Sequence, residues 1–98
     1  MKDVTLKLDV YSKNNTSNAV NAIEFFKSNN LAVQRYLIQN DLQELHALTA
    51  TNTEIRFSLR FDPDNGFSAL LSFLVKNNLK NVNYIDLTVE NRMYVRQK

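Results

Sequence analysis

The stretch EIRFSLRF, residues 54–61, is the clearest strand of the sequence and decides the fold class. Apolar and polar residues alternate along it, which is typical of a strand with one buried face. Turn and capping residues follow at 62–66, DPDNG, and apolar residues then return at helical spacing over 67–78. A strand followed directly by a helix favours an α/β fold. The predicted inward residues are Ile55, Phe57, Leu59 and Phe61 in the strand, and Phe67, Leu70, Leu71 and Leu74 in the helix.

The C-terminal segment, residues 79–98, predicts a β-hairpin. Its two alternating stretches are separated by residues 90–92, where we expect the chain to turn. Met93 and Val95 would face the core. The outward-facing residues would be Arg92, Tyr94 and Arg96.

Upstream of residue 54 the sequence predicts a strand and a helix. Residues 31–38, LAVQRYLI, suit a strand. Residues 41–49 fit a helix better than a strand, because their leucines recur at roughly helical spacing. Asp41 would cap this helix, and Glu44 three residues later would complete a capping box.

The first predicted elements are a strand at residues 3–11 and a helix from Ala19 to Asn29-Asn30. The N-cap of this helix would be Thr16, Ser17 or Asn18. The order is then β-α-β-α-β-α followed by the hairpin, which favours a mixed or parallel sheet covered by helices. The buried face of the first helix would hold Ala19, Ala22, Ile23 and Phe26.

The composition limits the chemistry that is available. The 98 residues predict one domain, 1–98, with a modest core. The chain has no cysteine and one histidine, which excludes disulfides, thiolate chemistry and iron–sulfur ligation and leaves almost no zinc site. Charges of both signs are interspersed at a net charge of +2, which disfavours nucleic acid as a partner. No apolar run reaches the roughly 20 residues that span a bilayer, so we expect a cytoplasmic protein that does not insert into membranes.

Asparagine is expected to take over positions that glycine usually holds. The chain has one glycine and one proline but several asparagine pairs, such as Asn29-Asn30 and Asn77-Asn78. Because asparagine tolerates the left-handed conformation, it can occupy turns and helix C-caps.

Two short segments resemble the glutaredoxin branch of the thioredoxin-like fold. In that family the first strand is followed by Tyr-Ser-Lys-x-x-Cys-x-x-Cys. Here Tyr11-Ser12-Lys13 matches, with Thr16 and Ala19 at the cysteine positions. NGFSALLSFL, residues 65–74, looks like the Gly-Gly-Phe-Asp-Asp-Leu segment that opens the family's last helix. The similarity covers residues 3–76 and implies a glutaredoxin-like domain extended by the C-terminal hairpin.

The departures from that family remove its chemistry. Thiol–disulfide exchange needs a thiolate, and neither Thr16 nor Ala19 supplies one. Thr53-Glu54-Ile55 stands where the family has its cis-proline. A weaker similarity, of residues 15–20 to the Asn-Thr-x-Asn-Ser segment of the circadian protein KaiB, also indicates a non-catalytic partner-binding protein. The resemblance therefore implies a redox-inactive protein-binding module that is not an enzyme and uses no cofactor or metal.

The candidate contact residues lie on the rim of the former active site and on the hairpin. The predicted partner-binding residues are Lys13, Asn14, Asn15, Thr16, Ser17, Asn18, Thr53, Glu54, Arg92, Tyr94 and Arg96. The partner would be another protein, and the edge of the hairpin would also permit a homodimer. A glutathione-like small ligand at Lys13 and Gly66 is one alternative. Another is single-stranded RNA bound by Arg56, Arg60, Tyr94 and Arg96.

A second architecture also agrees with the sequence. FFKSNNL at residues 25–31 and FLVKNNL at residues 73–79 look alike, and each follows a strand and a polar turn. As a duplication, the chain would have two β-α-β halves, which form a ferredoxin-like sandwich. Residues 41–49 would then extend a strand. Small domains of this fold serve as assembly modules of membrane machines such as type IV pili, which is the alternative function.

Overall fold

Helix α1 (Lys13–Ser28) is the first element of the part of the chain that the computed structural model describes, residues 13–98. Three strands, a second helix, a short 3₁₀ turn and two further strands follow. They are β1 (Val33–Gln39), β2 (Glu44–Thr49), β3 (Glu54–Ser58), α2 (Asp64–Lys76), the 3₁₀ turn (Leu79–Asn81), β4 (Val82–Leu87) and β5 (Tyr94–Gln97). The strand predicted for residues 3–11 lies outside the described residues.

The five strands form one mixed sheet in the order β1-β2-β3-β4-β5. Neighbouring strands are antiparallel except β3 and β4, which are parallel. The parallel pair arises because α2 carries the chain back along the sheet between these two strands. The α/β class, the strands predicted near 31–38 and 54–61, and the C-terminal hairpin are confirmed.

The helix predicted for residues 41–49 is wrong, because β2 occupies most of this segment. β2 lies between β1 and β3 and pairs with both. Its residues alternate between buried and half-buried, so strand pairing outweighs the leucine spacing that favoured a helix. Asp41 lies in the turn before β2 and caps no helix, and Glu44 opens the strand.

The ferredoxin-like alternative predicts a strand here, but its arrangement of two interleaved β-α-β halves is also absent from residues 13–98. In that fold the two strands joined by a helix are split by a strand of the other half. β3 and β4 are joined by α2 and pair directly with each other. The described residues therefore run helix, hairpin, strand, helix, hairpin.

Helix α1 begins earlier than predicted, at Lys13 instead of Ala19. Thr16, Ser17 and Asn18 therefore lie inside the helix and do not cap it. The side chain of Asn18 instead donates a hydrogen bond from Nδ2 to the Leu59 carbonyl oxygen, 3.0 Å away, and so ties α1 to the chain just beyond β3. The predicted inward face is confirmed by the burial of Ala19, Ala22, Ile23 and Phe26.

Both helices pack on the same face of the sheet, around Phe57 of β3. The ring of Phe57 meets that of Phe26 in α1 at 5.9 Å and that of Phe67 in α2 at 5.3 Å between centroids. Phe25 stacks on Phe67 at 4.1 Å, which joins the two helices directly. Gly66 permits the close approach of α2, because a Cβ there would lie 3.3 Å from Phe57 Cε1.

The apolar stripe of α2 is rotated slightly from the predicted one. Leu70 is buried, and Phe67 and Leu74 pack against the core, as predicted. Leu71 is exposed, and Phe73 packs against the core in its place. The stripe therefore follows positions 66, 67, 70, 73 and 74, which is the i, i+3, i+4 spacing of a helix face.

Asparagine side chains end both helices. In FFKSNNL, Nδ2 of Asn29 donates to the Phe25 carbonyl oxygen at 2.9 Å. In FLVKNNL, Nδ2 of Asn77 donates to the Phe73 carbonyl oxygen, also at 2.9 Å. Each amide satisfies one of the carbonyl groups that the end of a helix leaves without a partner. The two similar segments thus share one side-chain cap, although the backbone is left-handed at the end of α1 and extended at the end of α2.

Asn30 completes the end of α1 in the left-handed conformation, with a φ of 57°. Its N–H donates to the Lys27 carbonyl oxygen at 3.2 Å, and the N–H of Leu31 donates to that of Phe26 at 2.9 Å. These two bonds form a Schellman motif, in which glycine usually holds the left-handed position. The predicted use of asparagine is confirmed, since three of the four left-handed residues within 13–98 are Asn30, Asn52 and Asn91.

Tyr36 of β1 is a polar residue on the helix-covered face. Its ring lies 6.0 Å from that of Phe26, and its buried hydroxyl has no hydrogen-bond partner within residues 13–98. Burial raises the pKa of Tyr36 from 10.0 to about 12, because the phenolate is poorly solvated there. The free energy of unfolding therefore keeps its full value below pH 10. It falls as the pH rises towards 12, because the phenol ionises more readily in the unfolded chain.

Asn30→Gly is expected to leave the free energy of unfolding within about 0.5 kcal/mol of the unmodified value, because glycine adopts positive φ without steric cost. Asn30→Val should lower it by roughly 1–2 kcal/mol, because a β-branched side chain is strained there. Urea unfolding followed by circular dichroism measures both. Equal losses in the two variants would contradict the role of the left-handed backbone.

Tyr36→Phe should be neutral or stabilising at pH 7, since it removes a buried hydroxyl that has no partner. Between pH 10 and 12 the variant should lose less stability than the unmodified chain, because it has no phenol to ionise. Urea midpoints at three pH values provide the comparison. A loss above about 1 kcal/mol at pH 7 would show that the hydroxyl makes a bond.

Candidate functional site

The face of the sheet opposite the helices is the candidate site. Within residues 13–98 no helix packs against it, since the core of both helices lies on the side of Phe57 and Ile55. Leu37 and Tyr94 on this face are 52% and 49% exposed. We call it the open sheet face and define it by ten residues: Arg35, Leu37, His46, Leu48, Glu54, Arg56, Tyr84, Asp86, Tyr94 and Arg96.

Strand register brings these ten residues into two rows across the sheet. Residues directly opposite each other in paired strands lie on the same side. Each strand contributes one residue to each row, so residues that are scattered along the sequence form one surface. One row is Leu37, His46, Arg56, Asp86 and Tyr94, and the other is Arg35, Leu48, Glu54, Tyr84 and Arg96.

A network of charged side chains occupies the centre of the face. Nε2 of His46 lies 2.8 Å from Oε1 of Glu44, and Nδ1 lies 3.8 Å from Oε1 of Glu54. Nε of Arg56 donates to the same Glu54 oxygen. The Arg56 guanidinium lies over Tyr84, with Cζ 4.4 Å from the ring centroid, which is a cation–π contact. Side chains of β2, β3 and β4 are thereby linked.

The charges that remain available on the open sheet face are positive. With Glu44 included, the face has three carboxylates and three arginines. Glu44 and Glu54 are bonded within the network, and Asp86 is bonded to Thr88. The N–H and hydroxyl of Thr88 donate to Asp86 Oδ1 at 2.9 and 2.6 Å. Arg35 and Arg96 have no ion-pair partner within residues 13–98. They lie on β1 and β5, the outer strands of the sheet that residues 13–98 form, about four strand spacings or about 19 Å apart.

Three of the predicted partner-binding residues lie on this face: Glu54, Tyr94 and Arg96. Thr53 does not, because it is fully buried and has no surface for a partner. Its hydroxyl lies 2.6 Å from the Leu79 carbonyl oxygen and 2.9 Å from that of Val82, and it donates its single proton to this pair of acceptors. Thr53 therefore fastens the β2–β3 turn to the start of β4.

The remaining predicted residues are placed elsewhere. Arg92 lies in the β4–β5 turn and lines a cleft together with Gly66 of α2. Arg60, from the RNA alternative, lies beyond the end of β3, so only three members of that set share the face. The first turns of α1, in the helix layer, hold Lys13, Asn14, Asn15, Thr16, Ser17 and Asn18.

The sequence alone does not single out Arg35, Tyr84 or Asp86, and it places His46 on a helix. All four are alternate positions of strands, so the usable signal is the period of two in residues 33–39, 44–49 and 82–87. That signal gives the face of each residue only once the strands and their register are known.

Gly66, at which the sequence predicts a glutathione-like ligand, lines a cleft together with Arg92. The cleft lies at the carboxyl ends of β3 and β4, and its apolar floor includes Phe57, Leu87 and Met93. Asp62 Oδ1 already accepts from the N–H of Asp64 at 2.9 Å, at the helix end that would attract an anion. Asp62 and Glu90 also line the cleft, so its charge disfavours an anionic ligand such as glutathione.

Two further features concern metal ions and membranes. In the part of the chain that the structure describes, no group of three or more His, Cys, Asp or Glu side chains is placed to hold a metal ion. None of the helices between residues 13 and 98 is long and apolar enough to cross a membrane.

Known proteins offer no closer guide to the open sheet face. The sequence matches no protein-family model, and a search of curated proteins finds no match either.

Thr53→Val should lower the free energy of unfolding by about 1–3 kcal/mol, because the buried carbonyl groups lose their hydroxyl donor while the side-chain volume is kept. Thr51→Val is the matched control in the same turn, since within residues 13–98 its hydroxyl bonds only to Thr49 and Thr53. The control should cost about 1 kcal/mol or less. If thermal and urea unfolding show the two variants to be equal, the Thr53 hydroxyl does not fasten the turn to β4.

Proposed function

We propose that this protein is a non-catalytic protein-binding module whose partner docks on the open sheet face. The observation that carries the proposal is that five strands bring polar and aromatic residues together on one surface, which no other element of residues 13–98 covers. Tyrosine and arginine are enriched in the contact surfaces of proteins. Tyr94 and Arg96 combine exposure with a fixed position on β5, where Arg96 lies directly opposite Tyr84.

The charge distribution favours a protein over a nucleic acid. Nucleic acid is held by concentrated positive charge, whereas arginines and carboxylates balance across this face. The Tyr84 ring is covered by Arg56, so it is not free to stack on a base. Because Arg35 and Arg96 are available at the two sides, the complementary surface carries acidic groups around a polar or aromatic centre.

The residues also support a role without catalysis. The chain has no cysteine, so it has no thiolate for redox exchange. Its one histidine, His46, hydrogen-bonds Glu44 and faces Glu54, an arrangement without an activated nucleophile. We propose that such a module works in the cytoplasm.

We further propose that this protein is related to the glutaredoxins. This relation is supported by the matches at Tyr11-Ser12-Lys13 and at Gly66, Phe67 and Leu70, and β2 in place of the family's second helix counts against a full match. A homodimer through β5 is a weaker variant of the same function. Among the strands of residues 13–98, β5 lies at the edge and has only four residues, and charges near such an edge oppose strand addition.

The test compares substitutions on the two sides of the molecule. Arg96→Glu reverses a charge on the open sheet face, and Lys76→Glu makes the same change at an exposed residue of α2. Tyr94→Ala removes an exposed ring from the face. Each tagged variant, checked for folding by circular dichroism, is used to capture partners from a lysate of the source organism, and the captured proteins are quantified by mass spectrometry.

A protein partner should bind the unmodified chain and Lys76→Glu equally and be reduced at least tenfold by Arg96→Glu or Tyr94→Ala. Such a loss corresponds to about 1.4 kcal/mol, which is typical of an important contact residue. Proteins retained equally by all four chains would contradict the proposal. Capture of RNA that is lost with added salt would favour the RNA alternative instead.

A further inference from the structure

We infer that His46 is a pH-sensitive switch that controls the Glu54–Arg56 ion pair at the centre of the open sheet face. The switch acts through side chains of this chain alone, with or without a partner. It depends on one carboxylate oxygen, Glu54 Oε1, which faces both Nδ1 of His46 and Nε of Arg56.

The hydrogen bond to Glu44 fixes the neutral form of His46. An ionised carboxylate only accepts hydrogen bonds, so the 2.8 Å contact between His46 Nε2 and Glu44 Oε1 places the proton on Nε2. Nδ1 of the neutral ring then has no proton to donate. It lies 3.8 Å from Glu54 Oε1, which is too far for a hydrogen bond. In this state the Glu54 oxygen is bonded to Arg56.

Protonation turns Nδ1 into a donor that faces Glu54 Oε1. A charge-assisted bond of this kind is about 2.7–2.9 Å long, so the ring and the carboxylate approach each other by about 1 Å. The oxygen that is drawn in is the one that Arg56 holds. The imidazolium and the guanidinium then approach the same oxygen from paired strands and repel each other, so the Arg56 bond weakens as His46 gains its proton.

The surroundings of His46 restrict this competition to a few groups. Its side chain is 15% exposed, so water screens the contacts only in part. Its cross-strand neighbour on β1 is the uncharged Leu37, and the charged residue of β1 on the same face, Arg35, lies in the adjoining row. The charged groups that face His46 from β2 and β3 are Glu44, Glu54 and Arg56.

Release of Arg56 changes what the face offers to a partner, a consequence that rests on the proposed function. While His46 is neutral, the guanidinium is held between Glu54 and the Tyr84 ring. Once His46 is charged, the face gains one positive charge and Arg56 becomes available to an acidic group. Histidine changes its charge between about pH 5 and 8, so a partner with an acidic surface should bind more tightly at the lower end of this range.

The experiment follows the Arg56 Nε–H and Tyr84 ring resonances of the isolated protein by NMR from pH 8 to pH 5. The chain has one histidine, so the imidazole signals report His46 without overlap. We expect the Arg56 Nε–H resonance to shift with the same midpoint as His46. The Tyr84 ring protons should shift with it, because the guanidinium packs over that ring.

Three variants test the link. His46→Gln should abolish the Arg56 shift, and Glu54→Gln should abolish it while His46 still titrates. Glu24→Gln removes an exposed carboxylate of α1 and should leave the shift unchanged. An Arg56 resonance that stays constant while His46 titrates, or that moves equally in His46→Gln, would overturn the inference. This readout needs no partner, so its failure is distinguishable from failure of the capture experiment.

Discussion

The packing of Phe57 against Phe26 and Phe67 fastens both helices to the same strand, and the rest of the molecule follows from it. Phe57 is 1% exposed. Loss of a buried phenylalanine ring typically costs about 3–5 kcal/mol, against the roughly 5–15 kcal/mol that stabilises a whole domain. With both helices on this side, the alternate residues of every strand are left on the other. The open sheet face is therefore a consequence of where aromatic residues stand along β3.

Sequence patterns correctly predict the helices and strands whose local residue preferences agree with the contacts that they make in the fold. EIRFSLRF alternates and forms β3, and the asparagine pairs end helices because amide caps and left-handed backbone are local effects. Residues 41–49 are predicted wrongly because β2 is stabilised by strands on both sides, a long-range interaction that leucine spacing does not encode. The same limit hides the candidate site, since only register places His46 and Asp86 on either side of Arg56.

The internal similarity of the sequence is matched by two equivalent units, α1-β1-β2 and α2-β4-β5. Each helix ends in the same Phe–Asn cap and leads into a strand with a register irregularity near its start, at Val33/Arg35 and Val82/Tyr84. Each of these strands then pairs with an antiparallel neighbour. The units share a scaffold but differ on the open sheet face, where both tyrosines belong to the second. Likeness in the caps therefore coexists with divergence at the surface that a partner would meet.

The amide caps of Asn29 and Asn77 also link the stability of the fold to chemical ageing. Asparagine is among the less heat-resistant residues, and its hydrolysis to aspartate exchanges a donor for an acceptor. At these two positions the new carboxylate would face a carbonyl oxygen to which it cannot bond, at the negative end of a helix dipole. Both helices would then lose their caps through the same slow reaction. By ending its helices with asparagine amides, this protein makes its durability in solution depend on the survival of a few side-chain amides.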